Sequence, residues 1–264
     1  MKQRILTAVL AAAIFLPFVI YGKLPFTIFV YLLATIALHE LLRMKKISLA
    51  SIPGLVSLVI LWVLLIPSAY IDIFEVFSKA EFALLALLLL LTYTVVTKNK
   101  FTFDDVGFVV IAIFYLGIGF YFLIETRNLH PGGLELVFYA LILIWVTDSG
   151  AYFVGRAMGK KKLWPEISPN KTIEGAVGGV VFAVIFSWIY HYFTGVLDNY
   201  IVVTFMTIFL SVFGQMGDLV ESALKRHYQV KDSGTILPGH GGILDRFDSL
   251  LFVLPLLHFL RIIF

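Results

Sequence analysis

Between Gly214 and Arg226 the sequence reads GQMGDLVESALKR. On a helix, Gln215, Asp218, Glu221 with Ser222, and Lys225 recur at offsets of three and four, forming one polar stripe. The plain reading is a solvated helix end with a Glu221–Lys225 ion pair. Asp218 fits that reading poorly, because it stands almost two turns deeper, where an unpaired carboxylate is expensive. After a loop comes GHGGILDRFD, ending at Asp248. The glycines before and within it, Gly234, Gly239, Gly241 and Gly242, permit sharp turns and can point N–H groups at an anion. Asp245 and Asp248, at i and i+3, share a face at a helix start. They can simply cap that helix against its dipole. With Asp218 at the same depth, the three carboxylates can instead surround a hard divalent cation such as Mg2+, which takes few carboxylates together with waters and phosphates.

Thr147 to Gly179, TDSGAYFVGRAMGKKKLWPEISPNKTIEGAVGG, supplies the opposite charge. Arg156, Lys160, Lys161, Lys162 and Lys171 flank a Gly- and Pro-containing loop suited to a polyphosphate or to anionic lipid headgroups. The three consecutive lysines read first as a membrane anchor. Lys171 is better placed for chemistry, beside a helix start whose dipole also attracts anions. GAVGG reads as close helix packing.

The elements that must position these groups are membrane spans. The chain is 60% hydrophobic and only 14% charged, well below the quarter usual for a soluble domain. Apolar runs divided by charged and Gly/Pro punctuation give nine spans: Ile5 to Tyr21, Pro25 to Leu42, Pro53 to Tyr70, Phe82 to Val96, Val106 to Ile124, Leu134 to Phe153, Ile173 to Phe193, Ile201 to Leu219 and Phe247 to Phe264. The expected fold is therefore all-α, one polytopic membrane domain over 1–264. Within it, helices of 1–130 form a scaffold with possible dimer contacts, and 131–264 carries the catalytic helices and loops. The first span is long and is read as a retained helix rather than a cleaved leader. With a cytoplasmic N-terminus and an outside C-terminus, 16 of the 20 Lys and Arg residues lie inside, leaving only Lys23, Lys79, Arg127 and Arg261 outside. His39, Glu40 and all the acids singled out above fall on the cytoplasmic side, whereas TRNLHPGG and TGVLDNY on the outside read as turns. Cysteine is absent, which excludes disulfides, thiol catalysis and cysteine-based metal sites.

Ser222 to Asp248, SALKRHYQVKDSGTILPGHGGILDRFD, closely resembles the signature of the phosphatidate cytidylyltransferases, or CDP-diacylglycerol synthases, through its KR, KD, HGG and DRFD elements. DSGAY and SPNKTIEG resemble that family's upstream blocks, so the likeness runs from about Asp148 to Asp248. It implies an enzyme of the bacterial plasma membrane that joins CTP and phosphatidic acid into CDP-diacylglycerol and pyrophosphate. It also implies Mg2+, with one cation or two, a homodimer, and no nucleic-acid partner. The residues expected to do the work are Asp218, Lys225, Asp245 and Asp248, with Asp218, Asp245 and Asp248 as metal ligands. Substrate contacts are expected from Asp148, Ser168, Lys171, Thr172, Glu174, Gln215, Glu221, Ser222, Arg226, Lys231, Asp232, His240, Gly241, Gly242 and Arg246.

Chemically, a lipid phosphate monoester must reach the α-phosphorus of a triphosphate. A phosphate's second pKa is about 6, so the nucleophile is already ionised and needs no general base. What is required is charge neutralisation and in-line placement. Two rivals share some of these features. An ion-coupled transporter also uses intramembrane acids, although near the midplane. A CTP-dependent polyprenol or lipid kinase would transfer the γ-phosphate. A CDP-alcohol phosphotransferase is a poorer match, since DSGAYFVGR lacks the later aspartate pair of that pattern.

Overall fold

A computed structural model of the chain describes residues 2–70, 78–195 and 199–263. The described residues form nine helices: α1 (Lys2–Tyr21), α2 (Lys23–Met44), α3 (Ile52–Leu64), α4 (Lys79–Val96), α5 (Phe103–Asn128), α6 (Gly133–Met158), α7 (Ile173–Thr194), α8 (Tyr200–His227) and α9 (Leu244–Ile263). Six of them, α2 and α4 to α8, are long and apolar enough to cross a membrane. The chain is an all-α polytopic membrane protein, as its hydropathy pattern requires.

One small non-helical element interrupts the bundle. Between α6 and α7 the lysine-rich loop folds into strands β1 (Lys162–Trp164) and β2 (Ser168–Thr172), paired antiparallel with Lys162 opposite Thr172 and Trp164 opposite Ser168. The span expected over Pro53 to Tyr70 is a shorter helix, α3, which stops at Leu64. Pro67 explains the stop, since proline disfavours helical backbone in the residue before it. Lys79 then covers the open end, donating from Nζ to the Leu64 and Ile66 carbonyls at 3.0 and 2.5 Å. The expected turn TGVLDNY lies partly outside the described residues, at 196–198, as do the last residue of the ninth span and residues 71–77.

The chain forms two compact units, Met1–Glu125 with Asp232–Leu244, and Thr126–Lys231 with Asp245–Phe264. In the first, Phe26, Val30, Leu38, Leu61, Leu116 and Phe120 are buried. In the second, the closest helix packing depends on glycine. A Cβ at Gly179 of α7 would lie 2.7 Å from the Thr147 carbonyl of α6, and one at Gly175 would lie 2.7 Å from the Ala151 carbonyl. Gly217 of α8 plays the same part against α9, where a Cβ would approach the Asp248 carbonyl to 2.8 Å. Small residues admit such backbone approach when lipid supplies no hydrophobic drive for helix association. Polar bonds lie in the same seams: Tyr139 Oη to Thr207 Oγ1 at 2.7 Å, and Thr147 Oγ1 to Ser211 Oγ at 3.0 Å, both joining α6 to α8.

Gly179→Val is accordingly expected to destabilise the protein by about 1–3 kcal/mol through overpacking against backbone. Gly107→Ala is expected to be neutral or slightly stabilising, because nothing lies within 4 Å of its new Cβ. Thermal unfolding of the two variants in detergent checks the contrast.

Candidate active site

Thr172 ends β2 and caps α7, its Oγ1 accepting from the Gly175 N–H at 3.1 Å. Two residues on, Glu174 turns back and accepts from the Lys160 and Lys161 backbone N–H groups at 3.0 and 3.2 Å. These two side chains set the course of the loop that carries Lys171. Its ammonium forms an ion pair with Asp218 on α8, both side chains being part-exposed. Asp218 also accepts from Ser222 Oγ, one turn along, at 3.3 Å. Arg226 donates from Nε to the Ile167 carbonyl at 3.3 Å, tying the end of α8 to the hairpin.

Asp148, Lys171 and Asp218 line a cavity of about 460 Å3, together with Tyr152, Arg156 and Gln215. Its size falls within the range of small-molecule sites. Gln215 is fixed by donating to the Ala176 and Ser211 carbonyls, at 3.3 and 3.4 Å. Asp148, Asp218 and Asp248 lie close enough to feel one another's charge, with Lys171 and Arg246 near Asp148 and Lys225 near Asp248.

The stripe expected on α8 exists, and it serves two clusters. Lys225 stands between Glu221, one turn back, and Asp245 on α9, with Nζ 2.6 Å from the Asp245 carboxylate. Glu221 and Asp245 are both buried. Sequence spacing groups Asp245 with Asp218 and Asp248; in the structure Asp245 pairs with Lys225, and Asp148 shares the cavity with Asp218. Positions i and i+3 on a helix differ by about 60° in direction, so Asp245 reaches Lys225 directly while Asp248 stands beside the same cation.

Among the described residues no set of three or more His, Asp or Glu is arranged to hold a metal ion. The cavity does present two carboxylates, Asp148 and Asp218, on one space. Mg2+ needs no more than one or two when waters and phosphates fill its remaining positions, so the donor set fits.

The other residues singled out from the sequence are spread more widely. Ser168 begins β2, and Arg246 is exposed on the first turn of α9. Lys231 and Asp232 are exposed on the loop after α8. His240, Gly241 and Gly242 belong with the first compact unit, where Gly241 adopts positive φ and bridges Leu237. Tyr152 was not anticipated, although it sits one turn along α6 from Asp148, a spacing that marks a shared helix face.

Apolar spans with a mixed-charge cavity lined by Asp148, Asp218, Arg156 and Lys171 define a polytopic membrane protein. The profile of the Cytidylyltransferase family matches residues 2–264, and the chain belongs to that family. It is 61% identical over 266 residues to the phosphatidate cytidylyltransferase of Bacillus subtilis (strain 168), covering 100% of this chain and 98% of that protein. It is 49% identical over 263 residues to the protein of the same name from Staphylococcus haemolyticus (strain JCSC1435), and 48% over 265 residues to that of Staphylococcus aureus (strain COL), with 99% coverage on both sides in each case.

Lys225→Met leaves two buried carboxylates without their shared cation and is expected to cost about 3–5 kcal/mol. The loss is read as a lowered unfolding midpoint in detergent.

Proposed function

We propose that the chain is a phosphatidate cytidylyltransferase, forming CDP-diacylglycerol and pyrophosphate from CTP and phosphatidic acid at the cytoplasmic face of the bacterial plasma membrane. The observation that carries this reading is the cavity shared by Asp148, Asp218, Lys171 and Arg156, in a chain alike over its full length to enzymes of that name. A phosphate oxygen of the lipid attacks the α-phosphorus of CTP, the bond to the bridging oxygen breaks, and pyrophosphate leaves with that electron pair. The lipid phosphate needs no base, because it is already largely ionised at neutral pH. Lys171 and Arg156 offset the charge of the two polyanions as they approach. Lys225, held by Glu221 and Asp245, keeps a positive charge beside Asp248. Asp218 and Asp148 would hold Mg2+, with Asp248 adding its charge beside them, and the ion would supply electrostatic stabilisation of the triphosphate and the departing pyrophosphate.

Placement at cytoplasmic helix ends is supported by the bias of Lys and Arg to one side of the alternating spans. CTP then arrives from the cytosol and phosphatidic acid from the bilayer, and neither has to cross the membrane. Assembly as a homodimer belongs to the same proposal and rests on the family resemblance.

The test is incubation of purified protein with phosphatidic acid, labelled CTP and Mg2+, followed by lipid extraction. A labelled liponucleotide and stoichiometric pyrophosphate are expected. Release of CDP would make the protein a lipid kinase, and an absence of CTP turnover would favour a carrier. Asp218→Asn and Asp148→Asn are each expected to lower kcat by about 100-fold or more, and Lys171→Gln by about 10–100-fold, in folded protein. Retention of activity in both aspartate variants would overturn the site assignment.

A further inference from the structure

Glu40, near the end of α2, is only 4% exposed. The donors that satisfy it are neutral. Its Oε1 accepts from the Ile243 N–H at 2.9 Å, and Oε2 accepts from the Leu244 N–H at 2.9 Å and from Ser233 Oγ at 3.1 Å. Ile243 and Leu244 stand at the start of α9, where the first N–H groups of a helix have no partner within it. The carboxylate therefore caps α9 from a position about 200 residues away in sequence, with a charge of the sign that the N-terminal dipole favours.

Two glycines of the intervening loop are shaped to it. A Cβ at Gly234 would lie 2.4 Å from Glu40 Oε1, and a Cβ at Gly242 would lie 2.4 Å from both carboxylate oxygens and 2.3 Å from Ser233 Oγ. Neither glycine has positive φ, so close approach rather than backbone conformation explains the residue type. The turn itself is made by Gly239 and Gly241, with φ of 79° and 84°. The segment from Ser233 to Leu244 is thus folded around a single buried carboxylate, and the next residue is Asp245.

We propose that Glu40 is a positioning residue for the reaction. It touches neither substrate nor reacting atoms on this reading. It fixes where α9 begins, and with that the first turn carrying Asp245 and Asp248. This inference rests on the assignment of α9's aspartates to the active site made above. Displacement of a reacting constellation by about 1 Å can cost about 100-fold in rate, so a loosened helix start is felt in turnover more than in substrate binding.

The experiment compares Glu40→Gln, Glu40→Asp, Glu40→Ala, Gly242→Ala and Asp248→Asn as full-length protein in detergent. Glu40→Gln retains one carbonyl acceptor but turns an NH2 group toward a backbone N–H; Gly242→Ala pushes on the same carboxylate without changing it. Both are expected to lower kcat about 10–100-fold while KM for CTP stays within about twofold. Amide hydrogen exchange across 241–248 should quicken about tenfold or more in both, at a thermal midpoint close to that of the parent. Glu40→Asp should recover part of the kcat lost in Glu40→Ala. Parent-like kcat in Glu40→Gln, equal kcat in the Asp and Ala variants, or a loss that only tracks the folded fraction would overturn the proposal. If Glu40→Gln fails to fold, Gly242→Ala and the Asp–Ala comparison decide by the same criteria. Full activity in Asp248→Asn would instead overturn the site reading, and the exchange measurement would then report on Glu40's hold on α9 alone.

Discussion

A carboxylate cannot be left without a partner at the end of an apolar helix, and the second compact unit is arranged around that constraint. Lys225 answers it twice over, standing between Glu221 and Asp245 and so joining α8 to the first turn of α9. Lys171 answers it for Asp218 and thereby draws the β1–β2 loop onto α8. The buried pairs of Lys225 are held by geometry rather than by a large net stabilisation, because desolvation offsets most of the Coulomb attraction. Their value lies in fixing which helix faces which, something uniform apolar contact cannot do in a lipid environment.

Charges can be paired this closely only because the backbones between them are close as well. Gly175 and Gly179 bring α7 against α6, and Gly217 brings α8 against α9. Larger residues at these positions would separate the helices and carry Asp148, Asp218 and Asp248 apart. The same approach leaves Lys171, Asp148 and Asp218 facing a common cavity. Under the proposed reaction, a site for two polyanions needs both signs of charge within reach, and Lys171 of the hairpin and Asp218 of the α8 stripe provide them.

Glu40 shows the same economy in the first unit. An anion offered to backbone N–H groups usually belongs to a ligand when the loop is glycine-rich. Here the chain supplies the anion itself, and Gly234 and Gly242 are small because a carboxylate lies against them. The group that caps this helix start is anchored in another helix, α2, rather than in the loop before it.

Local features were legible from residue order alone. Hydropathy located the helices, the three- and four-residue spacing of Gln215, Asp218, Glu221 and Lys225 marked a polar face, GAVGG announced close packing, and the stretch from Ser222 to Asp248 identified the family. Helix period and transfer energy act over a few residues, so the sequence by itself determined them. Pairings across helices were left to the tertiary structure. It decided that Asp245 goes to Lys225 and Asp148 to the Asp218 group, that Thr172 and Glu174 shape the lysine loop, and that Glu40 holds residues about 200 positions away. The physical reason is that an ion pair or a cap depends on distance in space. One-dimensional spacing says which face a side chain is on, and only the packing of the other helices says what that face meets.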